Sequence, residues 1–203
     1  MIVIVDYGSG NLNSVQKAIV SLGHSAIISN LPTDIAKADI LVVPGQGAFS
    51  DAMKTLRENG LLTGIIQHIR NKKPFLGICL GFQLLFERSL EHGDHSGLGC
   101  FFGTVAPFPQ GKLKVPHMGW NTLMICKNPY GYYSHLPETP YVYFVHSYYV
   151  PERDGSEVGT LTSYGVPFIS SIQTETLLAT QFHPEKSGEA GLVLLKNFFK
   201  KMT

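Results

Sequence analysis

The sequence predicts an α/β fold: a doubly wound, mostly parallel sheet with helices on both faces and an antiparallel extension in the second half. Three observations predict it. Short β-branched runs alternate with helix-period segments through residue 88. Glycine-bearing turns punctuate those runs. Beyond Gly93 the pattern becomes short apolar pieces among glycines and prolines.

Ile2–Val5 is a continuous apolar run, short enough for a central parallel strand. After Asp6-Tyr-Gly-Ser-Gly-Asn11, the spacing of Val15, Ile19 and Leu22 predicts a helix that Gly23 ends. Ser25–Ser29 and Ile40–Val43 read as the second and third strands, the latter closed by Pro44-Gly45-Gln46-Gly47. Helical sequence covers residues 51–71, with a break near Asn59-Gly60. Phe75–Ile78 is the fourth strand, and Leu80–Arg88 reads as the helix after it. Gly93–Lys114 suggests loops and antiparallel strands. Further strands are expected at Thr122–Cys126, Tyr141–Val150, Gly159–Ser163, Phe168–Ile172 and Leu177–Gln181. A last helix from Gly188 to Lys201 places Leu192, Leu195 and Phe199 on one face. With no repeat, linker or low-complexity stretch, residues 1–203 read as one domain.

Composition narrows the function. Hydrophobic residues make up 44% and charged residues 15%, a globular balance that excludes disorder. A net charge of +1 argues against nucleic acid or an anionic membrane as the main partner. No apolar run reaches the length of a membrane span, and Met1–Asp6 lacks the marks of a signal peptide. Cys79, Cys100 and Cys126 are odd in number and form no CxxC pair, which fits a reducing, cytosolic setting.

Cys79 carries the sharpest signal. It stands between Gly77 and Gly81 at a strand-to-helix turn, the cysteine form of a nucleophile elbow. Such a turn lifts the sulfur above the sheet edge, and glycines remove side chains that would clash. The helix start favours thiolate, and the backbone N–H of Leu80 is placed for a developing oxyanion. The plain alternative is a small buried core cysteine.

A thiolate that attacks an amide needs a base that later protonates the leaving amine. Eight histidines compete. His183-Pro184-Glu185 stands out because it follows the strand Leu177–Gln181. Proline biases His183 toward an extended backbone, so His183 and Glu185 are expected to share one side of the chain. The carboxylate would then orient the imidazole. The plain alternative is a surface pair.

Gly77-Ile-Cys79-Leu-Gly-Phe-Gln83 together with Gln181-Phe-His183-Pro-Glu185 resembles the class I (triad) glutamine amidotransferases. Within that family, His117-Met-Gly-Trp120-Asn121, Tyr143-Phe-Val-His-Ser147-Tyr148 and Glu185-Lys186-Ser187-Gly188 are similar to the glutaminase subunits of imidazole glycerol phosphate synthases. The opening Asp6-Tyr-Gly-Ser-Gly-Asn11 adds to that likeness. The similarity runs from residue 2 to the C-terminal helix.

The resemblance implies that Cys79 attacks the carboxamide of glutamine, with His183 as acid and base and Glu185 as orienter. It implies that Gln83 and the backbone at His146, Ser147 and Tyr148 hold glutamine. Leu80 and the strand Gly45, Gln46, Gly47 would supply oxyanion N–H donors; the family usually has valine where Gln46 stands. It implies ammonia delivery to a (β/α)8-barrel cyclase subunit in a heterodimer of the histidine pathway, with no cofactor and no metal. Asn11, Trp120, Tyr143 and Lys186 match positions near that interface. Core packing for the aromatic pair and a solvated lysine are the plain alternatives.

Other motifs carry less. Gly8-Ser-Gly10 lacks the third glycine of a dinucleotide loop, since residue 13 is Asn. His92, Asp94 and His95 cluster in a loop without an evident further metal ligand. Three competing functions keep the same residues: an amidotransferase with another acceptor, an inactive regulatory subunit, and a peptidase acting on γ-glutamyl bonds.

Overall fold

The computed structural model describes residues 1–109, 111 and 113–203. The first half follows the predicted alternation: β1 (Ile2–Val5), α1 (Leu12–Ser21), β2 (Ala26–Ser29), α2 (Pro32–Lys37), β3 (Ile40–Gly45), α3 (Phe49–Glu58), α4 (Leu61–Arg70) and β4 (Phe75–Cys79). Asn11 caps α1 by accepting the Ser14 N–H, and Gly60, at φ 69°, makes the predicted break between α3 and α4. Next come α5 (Leu80–Gln83), β5 (Phe86–Ser89), β6 (His95–Ser96), β7 (Phe101–Pro107), β8 (His117–Thr122) and β9 (Met124–Ile125). The chain ends with β10 (Tyr141–His146), β11 (Tyr148–Pro151), β12 (Val158–Tyr164), β13 (Val166–Gln173), β14 (Leu177–Thr180), a 3₁₀ turn at Pro184–Lys186, and α6 (Gly188–Met202).

Among the described residues the main sheet runs β2-β1-β3-β4-β14-β13-β11-β7-β5-β6, with β12 on β13 and β9 on β12. β2, β1, β3, β4 and β14 are mutually parallel, and β13 and β11 continue antiparallel. β8 and β10 form a separate antiparallel ribbon. Two apolar cores cover the two faces of the parallel part. Alternation along β1 sends Val3 and Val5 to the face covered by α2, α3 and α4, and Ile2 and Ile4 to the face covered by α1 and α6.

Four expectations need correction. Leu80–Arg88 is not one helix: α5 is a single turn and β5 takes Phe86–Ser89 to pair with β7. Leu80 through Phe86 is buried on every side, and such a run carries no period to separate helix from strand. Tyr141–Val150 is not one strand: it breaks at Ser147, where the chain leaves the β8–β10 ribbon for the main sheet. Strand also begins earlier than Thr122, because His117–Thr122 pairs with β10. Leu192 stands 39% exposed, while Leu194, Leu195, Phe198 and Phe199 carry the buried stripe of α6. The short helix α2, with Pro32 in its first turn and only Ile35 buried, had no apolar period to announce it. Residues 110 and 112 of the expected Gly93–Lys114 region lie outside the described residues.

Candidate active site

The site forms where β4 ends beside β3 and β14, the crevice at the carboxyl ends of parallel strands. Cys79 occupies φ 54°, ψ −103°, a region an L-residue enters only under constraint. The flanking glycines supply that constraint through close packing. A Cβ on Gly81 would lie 1.8 Å from the Val43 carbonyl oxygen, and one on Gly77 would lie 3.0 Å from Ala179 Cβ and Gly81 O. The turn therefore packs tightly onto its neighbouring strands and presents Cys79 at the floor of a cleft of about 460 Å³. Leu80 begins α5, so its N–H has no intrahelical acceptor.

His183 and Glu185 meet, though not by the expected geometry. His183 is extended, but Pro184–Lys186 turns as a 3₁₀ helix and brings the carboxylate back. His183 Nδ1 donates to Glu185 Oε1 at 2.8 Å, with both side chains almost wholly buried. Among the described residues His183 Nε2 makes no hydrogen bond, and Cys79 is the neighbour that acts most strongly on the ring's charge. Burial alone would lower the His183 pKa; the Cys79 thiolate and the Glu185 carboxylate together outweigh it and raise the value well above that of a free histidine. Ser187 locks this arrangement. Its hydroxyl donates to His183 O at 2.6 Å and accepts from Tyr143 N at 2.9 Å, tying the 3₁₀ turn to β10.

The cleft is lined by Gln46, Gly47, Cys79, Leu80, Gln83, Glu91, Tyr143, His146, Ser147, Tyr148 and Lys186, among others. Gln83 sits at its inner wall. Its Nε2 hydrogens go to Tyr148 O at 3.0 Å and Gln181 Oε1 at 2.9 Å, which leaves its carbonyl oxygen as the group it can offer a ligand. Gln181 Nε2 in turn lies 3.7 Å from Cys79 Sγ, and the sulfur lies 3.8 Å from Val145 O.

Gly45 pairs in register with Cys79, which lays Pro44–Gly47 alongside the thiol. Tyr7 donates to Pro44 O at 2.7 Å, and a Cβ on Gly45 would strike the Tyr7 hydroxyl. The Gln46 N–H is bonded to Ser9 Oγ at 3.1 Å, and Ser9 Oγ also donates to Gln46 O. Gln46 can therefore donate to a ligand only when its bond to Ser9 opens.

Among the site residues that the sequence did not single out are Glu91, Gln181 and Ser187. Glu91 is a buried carboxylate at the cleft, accepting from Phe49 N at 2.6 Å. It lies in a stretch without motif or period, so no local signal pointed to it. Gln181 and Ser187 flank the His-Pro-Glu run, which was the available clue.

The remaining predicted positions lie around the rim. Trp120 is 56% exposed and meets Tyr143 edge-on across the ribbon, with ring centroids 6.2 Å apart. Met118 and Tyr141 are also exposed on the ribbon. Lys186 is half-buried at the cleft and Asn11 is an exposed helix cap. The loop residue Asp94 pairs with Arg88 at 2.8 Å. Among the described residues no three His, Cys, Asp or Glu side chains group as metal ligands, and no helix is long and apolar enough to cross a membrane.

The chain resembles known proteins along nearly its whole length. A family model for class-I glutamine amidotransferases matches residues 3–202. The chain is 52% identical over 200 residues to the imidazole glycerol phosphate synthase subunit HisH of Aquifex aeolicus, covering 98% of this chain and 96% of the relative. It is 49% identical to the subunit of the same name from Syntrophotalea carbinolica, covering 98% of both chains. Solved structures share the fold at lower identity. A glutamine amidotransferase crystal structure superposes with a TM-score of 0.75 at 19% identity, covering 100% of this chain and 99% of that one. A structure of PurLQS from Thermotoga maritima gives a TM-score of 0.78 at 17% identity, covering 100% and 98%. With nearly its whole length matched, this chain belongs to the class-I glutamine amidotransferase family, beside the HisH subunits of imidazole glycerol phosphate synthase.

Proposed function

We propose that the chain, acting as one domain in the cytoplasm, is the glutaminase subunit of an imidazole glycerol phosphate synthase. Cys79 Sγ attacks the side-chain carboxamide carbon of glutamine. The carbonyl oxygen becomes an oxyanion held by the Leu80 N–H and, once its bond to Ser9 opens, by the Gln46 peptide and its glycine neighbours Gly45 and Gly47. The tetrahedral intermediate collapses as His183 Nε2 gives its proton to the leaving nitrogen, releasing ammonia and a glutamyl thioester. His183, now neutral, takes a proton from water. The hydroxide displaces Cys79 and frees glutamate. Glu185 keeps the imidazole in the tautomer this cycle needs. Glu91 offers a carboxylate to the ammonium of glutamine, while Gln83, His146, Ser147 and Tyr148 hold its amino-acid end.

The observation that carries this reading is the strained Cys79 lining the cleft, with the buried His183–Glu185 pair behind it. The partner reading adds a (β/α)8-barrel cyclase subunit that receives the ammonia, joined in a heterodimer. The exposed apolar face of Met118, Trp120 and Tyr141, with Tyr143 beside Trp120, is the surface offered to it, together with Lys186 and Asn11. The test is glutamate release from glutamine by the chain alone and with the cyclase subunit and its ribotide ligand. Release that depends on the partner supports the reading. Strong release by the lone chain, or none by the pair, contradicts it.

A further inference from the structure

Two buried histidines beside the cleft carry imidazoles to which that cycle gives no part, since His146 enters it through its backbone. His117 opens β8 and His146 closes β10, and the two are paired in register across the ribbon. Only 3% and 6% exposed, they sit among Phe108, Phe144, Tyr164 and Phe168, with His117 stacked on Phe144 and Tyr164. An aromatic core is an odd place for two imidazoles unless their nitrogens are used.

Both imidazoles use their nitrogens, and in one direction only. His146 Nδ1 lies 2.8 Å from Tyr148 O, a pure acceptor, so the proton is on His146 Nδ1 and its Nε2 is bare. That bare nitrogen lies 2.9 Å from His117 Nδ1, which must therefore donate, leaving His117 Nε2 bare. Asn121 Nδ2, 3.2 Å away, supplies the donor it needs and gives its second hydrogen to Ser163 O at 3.0 Å. Burial holds both rings neutral: it lowers His117 to about 4, and lowers His146 to about 3 with the neighbouring His117 and His183 adding to the fall against the Tyr148 bond. Every nitrogen of the two rings is satisfied, and the donors point from the ribbon toward the cleft.

The chain ends on an atom that matters. Tyr148 O accepts from His146 on one side and from Gln83 on the other, and Gln83 continues through Gln181 to the Cys79 sulfur. Ser147, between His146 and Tyr148, is where the backbone leaves the ribbon for the main sheet and lines the cleft. We infer that His117 is a positioning residue for glutamine: with Asn121 and His146 it forms a one-way hydrogen-bond chain that pins the Tyr148 carbonyl and the backbone that holds the substrate. This rests on the glutaminase reading and deepens it. His117 itself does not reach the cleft; it acts through His146.

His117→Phe keeps the ring stacking and removes the donor. His117→Asn restores an N–H the same number of bonds from the backbone as Nδ1. In the complex with the cyclase subunit, His117→Phe is expected to raise KM for glutamine about tenfold or more, with a smaller change in kcat. His117→Asn is expected to bring KM back to within about threefold of the parent. An unchanged KM in His117→Phe, or no recovery in His117→Asn, overturns the inference. Nitrogen-15 NMR of the imidazoles in the unsubstituted full chain reads the same chain without activity and without a variant that must fold. Both rings are expected neutral with the proton on Nδ1 at pH 6; a charged ring or an Nε2 proton on either overturns it. An unsubstituted complex that releases no glutamate overturns the glutaminase reading, and this inference with it. An active complex that His117→Phe leaves unchanged overturns only this inference.

Discussion

The two halves of the molecule build the same cleft by different means. The first half places Cys79 through local geometry: a parallel strand, a strained turn and two glycines whose neighbours leave no room for a side chain. The second half places the His183–Glu185 pair and the cleft wall at His146–Tyr148 through contacts distant in sequence. His183 is tied to β10 by Ser187 and by its own N–H to Tyr143 O, and the Tyr148 carbonyl accepts from His146 of β10 and Gln83 of α5. A nucleophile can be specified by a few consecutive residues, whereas its base, its orienter and its substrate cradle need the tertiary structure. Breaking each half separately tests this.

The largest effect is expected from Cys79→Ala, which removes the attacking atom. Glutamine-dependent turnover should fall about 10⁴-fold or more in a steady-state assay of the complex, while the cyclase supplied with ammonia still turns over. In the second half, His183→Gln should lower kcat about 10²–10⁴-fold by removing the acid and base. A loss confined to KM would contradict that role. Gly81→Ala strikes the local frame instead. Because its Cβ would meet the Val43 carbonyl, thermal or denaturant unfolding should show a loss of about 3 kcal/mol or more.

How much of this was legible in the sequence follows the same division. β1, β3, β4 and the elbow were readable because β-branched runs and glycines sit in order along the chain. α5 and β5 were not, since Leu80–Phe86 is buried all round and only pairing with β7 decides its form. The His183–Glu185 contact was anticipated, but its route through a 3₁₀ turn was not, because proline limits the residue before it and says little about those after. Glu91 and His117 could not be assigned. A carboxylate gains its meaning from the cleft it faces, and a histidine from the partner of each nitrogen, and neither is written locally.

Smaller effects probe the ribbon. Trp120→Ala should leave the melting temperature near the parent value and weaken association with the cyclase about 30-fold, equivalent to about 2 kcal/mol, in a binding titration. The smallest effect concerns pH. His117 and His146 have folded values depressed to about 4 and about 3 from 6.5, so below pH 6.5 the unfolded chain takes up protons that the folded chain refuses. Their contribution to stability is whole above pH 6.5 and lost as pH falls toward 4. His183, whose folded value is raised, contributes in the opposite window: fully below its ordinary value, and less as pH rises above it. Between pH 6 and 4.5, His117→Phe should flatten the fall in stability by about one proton, about 1.4 kcal/mol per pH unit. An unchanged slope would place the proton uptake elsewhere.

The proposed chemistry turns on the bond between Cys79 and substrate. The complex, quenched in acid while turning over glutamine, is examined by intact and peptide mass spectrometry. One glutamyl group is predicted, on the peptide containing Cys79, and absent from Cys79→Ala. No adduct, or an adduct on Cys100 or Cys126, would contradict Cys79 as the nucleophile.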